Sequence, residues 1–311
     1  MTSQLRVHAV TALQPGPRLI VLGGVHGDET CGTQGIAQLI EELDTGALVL
    51  RRGQLTLVPV ANPLARERMQ REGERNLNRS FRPSAAPADY EARITNVLCP
   101  LLAAHDVLLD LHSFQSAGEA FAMIGPRDNR EALEPFQRAR EEGQLALHLG
   151  TPCVVEGWLD IYAAGIEQRG LPLTDEALAY GWGTNEYMRS QGGYAVTLEC
   201  GQHGDPAAPV VAHRAIHAAL QTLGMVDQAA PLVPKPRLLK LVSAVDRNAP
   251  GDRLLREWAT FDAVQQGQAI AMREGGSVLV APGDGYIVFP NAQAALGTEW
   301  YYFAVDSDRV L

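Results

Sequence analysis

One strand in this chain leaves little choice of fold. Arg18-Leu-Ile-Val-Leu22 is apolar on both faces, as a central strand of a parallel sheet must be when helices cover it from each side. It runs directly into Gly23-Gly-Val-His-Gly-Asp-Glu-Thr30, and residues 30 to about 43 then carry the spacing of an amphipathic helix. His26 and Glu29 therefore fall in a glycine-rich turn at the carboxyl end of a strand. That is the end where open α/β sheets bind ligands.

The pattern repeats along the chain. Residues 5–13 alternate roughly and read as an edge strand, closed by a turn at Pro15-Gly-Pro17. Gln54-Leu-Thr-Leu-Val-Pro-Val60 reads as the next strand and ends at Ala61-Asn-Pro63. A stretch holding Arg66, Arg68, Arg71, Arg75, Arg79 and Arg82 follows. Helical spacing over 90–105 leads to a buried strand, Val107-Leu-Leu-Asp-Leu111, with His112 at its end. A helix with a charged face is expected over 129–149, and a short strand over 153–155. Residues 157–193, rich in Gly, Trp and Tyr, resist assignment, apart from a helix over 184–191. Tyr194-Ala-Val-Thr-Leu198 is a strand ending in Glu199, and 210–223 reads as a helix. This alternation predicts an α/β fold with a doubly wound, mostly parallel sheet.

The Pro-rich stretch 229–236 is the best boundary, dividing a catalytic domain over 1–228 from a small β domain over 237–311. Ala281-Pro-Gly-Asp-Gly-Tyr-Ile-Val-Phe-Pro290 resembles the hairpins of biotinyl/lipoyl barrel-sandwich domains. Lys235 and Lys240 are the only lysines, and neither lies at a hairpin tip there, which argues against a carrier role.

Composition narrows the partners. A formal net charge of −10 argues against nucleic acid or an anionic membrane. No apolar run reaches the ~18 residues that span a bilayer, and the N-terminus lacks the pattern of a signal peptide. Cys31, Cys99, Cys153 and Cys200 show no metal-binding spacing and read as buried, reduced thiols of a cytoplasmic protein. Oligomerisation is possible but cannot be read from the sequence.

In a parallel sheet every strand delivers its carboxyl end to the same edge. His26 with Glu29, His112 and Glu199 would then meet, although they are far apart in sequence. Two imidazoles and a carboxylate form a ligand set of catalytic zinc, and a second carboxylate held off the metal could carry protons. A lone HxxE is weak evidence; the joint pattern of three strand ends is stronger. His213 and His217 stand four apart on a helix, but residue 214 is Arg where a zincin has Glu, so they read as a surface or packed helix. His203 is near enough to Glu199 in sequence to line the pocket. No GxSxG occurs.

These stretches together resemble the succinylglutamate desuccinylase/aspartoacylase family, relatives of the zinc carboxypeptidases. The matching segments are Gly24-Val-His-Gly-Asp-Glu29, Ala61-Asn-Pro-Leu-Ala65, Asn76-Leu-Asn-Arg-Ser-Phe81, Asp110-Leu-His-Ser113 and Leu198-Glu-Cys-Gly201. They keep the family's order, and a barrel-like C-terminus also fits. HGDE and NLNR stand where the family often has HGNE and DLNR, which moves this chain away from the best-known members.

The resemblance implies one zinc per chain held by His26, Glu29 and His112, with Glu199 as general base and then acid. It implies Arg71 as the oxyanion-stabilising arginine, and Asn78 with Arg79 as holders of a substrate carboxylate. Arg66, Arg68, Arg75 and Arg82 are left as a solvated basic loop. Arg189 stands where aspartoacylase-like members grip a second carboxylate, and Tyr301 where some members contribute a C-terminal tyrosine. The expected activity is deacylation of an N-acyl amino acid or similar small anionic substrate. A zinc carboxypeptidase, an esterase on a small acid, and a non-catalytic metal- or carboxylate-binding protein remain the alternatives.

Overall fold

The computed structural model describes residues 4–130, 133–170 and 172–311. The first three residues, part of the N-terminus read above, and residues 131–132 within the expected helix 129–149 lie outside the described residues. The chain begins with β1 (His8–Thr11), β2 (Gln14–Leu22), α1 (Cys31–Thr45), β3 (Arg52–Val58), α2 (Pro63–Arg68), α3 (Tyr90–Ala103) and β4 (Val107–Phe114). It continues with β5 (Phe121–Met123), α4 (Ala139–His148), β6 (Cys153–Glu156), α5 (Trp158–Gln168), α6 (Asp175–Tyr180), α7 (Thr184–Ser190), β7 (Tyr194–Gln202) and α8 (Ala208–Thr222). The C-terminal part is all strand: β8 (Arg237–Arg247), β9 (Arg253–Leu254), β10 (Ala263–Val264), β11 (Ala269–Met272), β12 (Val278–Val280), β13 (Gly285–Val288) and β14 (Thr298–Asp306).

The expected alternation of strands and helices is present, with local differences. Pro15-Gly-Pro17 does not close a turn: β2 runs through it, with a register shift against β3 between Gln14 and Arg18. An edge-facing stretch tolerates proline because those N–H groups need not enter the ladder. Within 157–193, α7 falls on the expected helix over 184–191 and α5 and α6 fill the unassigned part, while α4 occupies only the second half of 129–149.

One 11-stranded sheet runs in the order β1-β3-β2-β4-β7-β5-β6-β8-β14-β13-β10. The strands β3, β2, β4 and β7 are mutually parallel. Leu19 to Leu22 and every residue of β4 are buried, because helices cover both faces there. On one face α1 and α8 bury Ile36, Leu39, Ala212, Ile216 and Ala219 against β2 and β4. On the other, α3 and α7 cover Ile20, Leu22 and Leu108 with Ile94, Leu98 and Met188.

The C-terminal segment differs from the expected barrel. β8 pairs in parallel with β6, so β8, β14, β13 and β10 extend the main sheet instead of closing on themselves. Only β9, β11 and β12 form a separate three-stranded sheet. Its neighbours Trp258, Ile270, Trp300 and Phe303 make a core of their own. No described helix is long and apolar enough to cross a membrane.

Candidate active site

The turn after β2 is shaped by what it must approach. Gly24 takes φ +60, the left-handed region. A Cβ on Gly27 would overlap the Ala65 carbonyl of α2, so only glycine lets the two backbones meet there. Arg66 fastens the same contact, donating from Nη1 to the Gly27 carbonyl at 2.8 Å and from Nη2 to Thr33 Oγ1 at 2.5 Å.

This geometry turns His26 and Glu29 inward, where both are almost fully buried with His112. His26 Nδ1 lies 2.8 Å from Glu29 Oε1, and His112 Nδ1 lies 2.9 Å from Glu29 Oε2. The two imidazole rings are 5.0 Å apart. The backbone N–H of Ser113 donates to Glu29 Oε2 at 3.1 Å, and Arg71 Nη1 donates to Oε1 at 3.1 Å. The far nitrogens are also positioned: His26 Nε2 lies 3.2 Å from Asn76 Oδ1. His112 Nε2 lies 3.0 Å from Asp110 Oδ2, though off the line of a hydrogen bond. Asp110 in turn accepts from Thr184 Oγ1 at 2.5 Å.

The donor set fits a divalent metal. Its three ligand atoms lie within 4.8 Å of one another, and two imidazoles with one carboxylate suit zinc. Charge is arranged accordingly. Burial drives His26 down to about 4, with the nearby Arg71 adding to the effect, so its imidazole is neutral and free to act as a ligand. Burial would raise Glu29, but His26 and His112 outweigh it and hold the carboxyl well below its usual range. His112 is lifted well above its usual value because Asp110 and Glu29 outweigh desolvation. A dication set against the same carboxylate would take the place of that imidazole proton.

Glu199 stands in register with His112 on the adjacent parallel strand. It is 8% exposed, and its Oε2 is buried without a hydrogen-bond partner. Burial raises its carboxyl to about 8, and His112 offsets this only in part. A group titrating near neutrality beside a ligand set has the properties of a proton carrier.

These residues line one wall of a cavity of about 670 Å³. Arg71, Asn78 and Arg79 line it as well. Asn78 Oδ1 accepts from the Thr184 backbone N–H at 2.9 Å, which ties the 76–81 loop to α7. Arg79 holds its own loop by donating to the Asn78 carbonyl at 2.8 Å, and its guanidinium lies 5.5 Å from the Trp158 ring.

Two of the expected residues fall elsewhere. Arg189 reaches the cavity's edge, but its guanidinium is 3% exposed and committed to carboxylates. It lies 2.8 Å from both Glu134 and Glu142, and it donates to the Ala195 carbonyl. Its charge is spent inside the protein. Tyr301 packs into the C-terminal core away from the cavity, while its neighbour Tyr302 lines the wall.

Some residues that shape the site had no visible signal. Arg75 is not a solvated side chain: it pairs with Asp89 at 2.9 Å and donates to the Arg79 carbonyl at 2.8 Å. Glu91 is fully buried and accepts from the Glu74 and Arg75 N–H groups and from Asn62 Nδ2. Asn76 and Asp110 stand behind the imidazoles. His203, read from the sequence as a pocket-lining candidate, does line the cavity, with Nδ1 2.8 Å from Ser113 Oγ.

The family model described as "Succinylglutamate desuccinylase/Aspartoacylase catalytic domain" matches residues 15–148. Over those residues the chain is similar to the succinylglutamate desuccinylase/aspartoacylase family. The succinylglutamate desuccinylase of Erwinia tasmaniensis is 24% identical, over 93% of this chain and 84% of its own length. That of Burkholderia lata is 28% identical, over 94% and 80%. Among solved structures, the succinylglutamate desuccinylase/aspartoacylase of Rhodobacter sphaeroides superposes with a TM-score of 0.73 at 17% identity, over 97% of this chain and 90% of that one. The ectoine utilization protein of Ruegeria pomeroyi, solved with product bound, gives 0.72 at 19% identity, over 96% and 88%. These solved structures share the fold.

Proposed function

We propose that this protein is a metal-dependent amidohydrolase that removes the acyl group from a small N-acylated amino acid. The observation that carries the reading is the convergence of His26, Glu29 and His112 on one point, with the buried carboxyl of Glu199 in register beside them. Zinc held by those three side chains would act as a Lewis acid toward a carbonyl and acidify water.

The chain's own residues supply the remaining functions. Glu199 takes the proton of the attacking water and returns it to the leaving amine. Arg71 is 48% exposed at the cavity wall, where its guanidinium stabilises charge developing on the carbonyl oxygen. Arg79 offers a planar fork to the substrate carboxylate, and Asn78 positions that arginine's backbone. The likeness to desuccinylases supports an anionic substrate.

The test is turnover of a panel of N-acetyl, N-succinyl and bulkier N-acyl amino acids, with metal content measured alongside. Glu199→Gln is expected to lower kcat by about 10²–10⁴-fold while leaving the bound metal unchanged. Full turnover in that variant would overturn the assignment.

A further inference from the structure

We propose that Glu42, His213 and His217 form a second site for a first-row divalent metal, one that staples α1 to α8. The i,i+4 spacing of the two histidines puts both imidazoles on one face of α8. The third donor comes from the other helix. Glu42 Oε1 lies 2.7 Å from His213 Nε2, and Oε2 lies 2.7 Å from His217 Nε2. The rings are 4.7 Å apart at 67°.

This is the chemical set found around Glu29, built a second time. In both places one carboxylate faces a nitrogen of each of two imidazoles, and in both the three ligand atoms lie within 4.8 Å of one another. Around Glu29 the ligand nitrogens are Nδ1; around Glu42 they are Nε2. None of the three residues lines the cavity, so the second set is separate from the proposed catalytic one.

The helix framework fixes the donors before any ion arrives. A Cβ on Gly35 would come within 2.8 Å of the His213 backbone nitrogen and 2.9 Å of Ala212 Cβ, so α1 and α8 pack backbone to backbone there. Ile36, Leu39, Ala212 and Ile216 share the core beneath. The ligating side chains are 23%, 26% and 30% exposed. An ion can therefore enter from solvent, and water can complete its coordination. Two imidazoles and one carboxylate favour Zn²⁺, Ni²⁺ or Cu²⁺ over Mg²⁺ or Ca²⁺.

The experiment counts metal. Chelator-stripped protein is dialysed against excess Zn²⁺, and zinc per chain is measured by atomic emission, with folding checked by circular dichroism. The wild type is expected to hold two equivalents, and H213A/H217A one with its deacylase activity retained. His112→Ala is expected to keep the Glu42 equivalent, and Zn²⁺ should raise its Tm; adding His217→Ala should abolish that shift. The milder Glu42→Gln should weaken the second equivalent without disturbing the fold. Zinc content that is the same in wild type and H213A/H217A would reduce the cluster to a hydrogen-bonded helix contact. Failure at His112 would instead bear on the catalytic reading, so the two assignments fail separately.

Discussion

Arg79 shows what can be tested at the level of one side chain. It lines the cavity beside Trp158 and pairs with no carboxylate among the described residues. Arg79→Ala is expected to raise KM for N-acyl amino acids by roughly 10–100-fold with a smaller change in kcat, the mark of lost uniform binding. A steady-state comparison with Arg79→Lys checks it, since lysine restores charge without the planar fork. Legibility at this scale followed geometry. His26, Glu29, His112 and Glu199 could be read because each lies just past or near the carboxyl end of a strand, and parallel strands converge at one edge; β4 and β7 run on past His112 and Glu199 to Phe114 and Gln202. Arg66 and Arg75 could not, because their partners include backbone carbonyls that no sequence pattern marks. Tyr301 was one residue off Tyr302 as a wall residue. β14 carries a register shift between Glu299 and Tyr301, and a one-residue slip moves a side chain to the other face.

Two turns decide how firmly the elements hold their loops. Asp89 caps α3, accepting from the Ala92 N–H at 2.6 Å, and its other oxygen takes Arg75 Nε at 2.9 Å. Asp89→Ala should cost about 1 kcal/mol of stability through the lost cap. It should also raise KM in the same sense as Arg79→Ala, because Arg75 braces the Arg79 carbonyl; melts and kinetics on one preparation test both effects. In the turn after β8, desolvation pushes Asp252 upward. The N–H groups of Asn248, Glu274 and Ala249 and the Arg273 guanidinium outweigh it and hold the carboxyl far below its usual range. A depressed folded-state pKa means stabilisation that is complete above the unfolded value, near pH 4, and lost as pH falls further. Asp252→Asn should therefore lower Tm at pH 7, and the gap from wild type should begin to narrow only as the pH falls below about 4 in a Tm-against-pH series. The helices α1, α3 and α8 were legible from their apolar spacing. α6 was not, because its six residues give too few turns for a period to emerge, and α5 went unassigned within the same Gly-, Trp- and Tyr-rich stretch.

Over the whole molecule, the Pro-rich stretch 229–236 suggested a separable C-terminal unit, yet hydrogen bonding carries the sheet across it. Composition marks where a chain is irregular; it does not show which strand edge the next segment will join. β8 covers β6 from Cys153 to Glu156, and Arg309 closes the far end by pairing with Glu156 at 2.8 Å and donating to the Gly125 carbonyl. Truncation after residue 236 would leave β6 as a bare apolar edge. The expected outcome is aggregated protein in light scattering rather than a smaller active enzyme, and a monodisperse fragment would contradict it. The shared sheet has a further consequence. The candidate site residues lie in the turn after β2 and within β4 and β7, while Lys240, Thr298, Glu299 and Tyr302 line the same cavity from β8 and β14. Both groups are pegged to one lattice with a spacing of about 4.8 Å per strand. The reach of the cavity is thus graduated like a ruler, its length set by how many strands lie between the two groups.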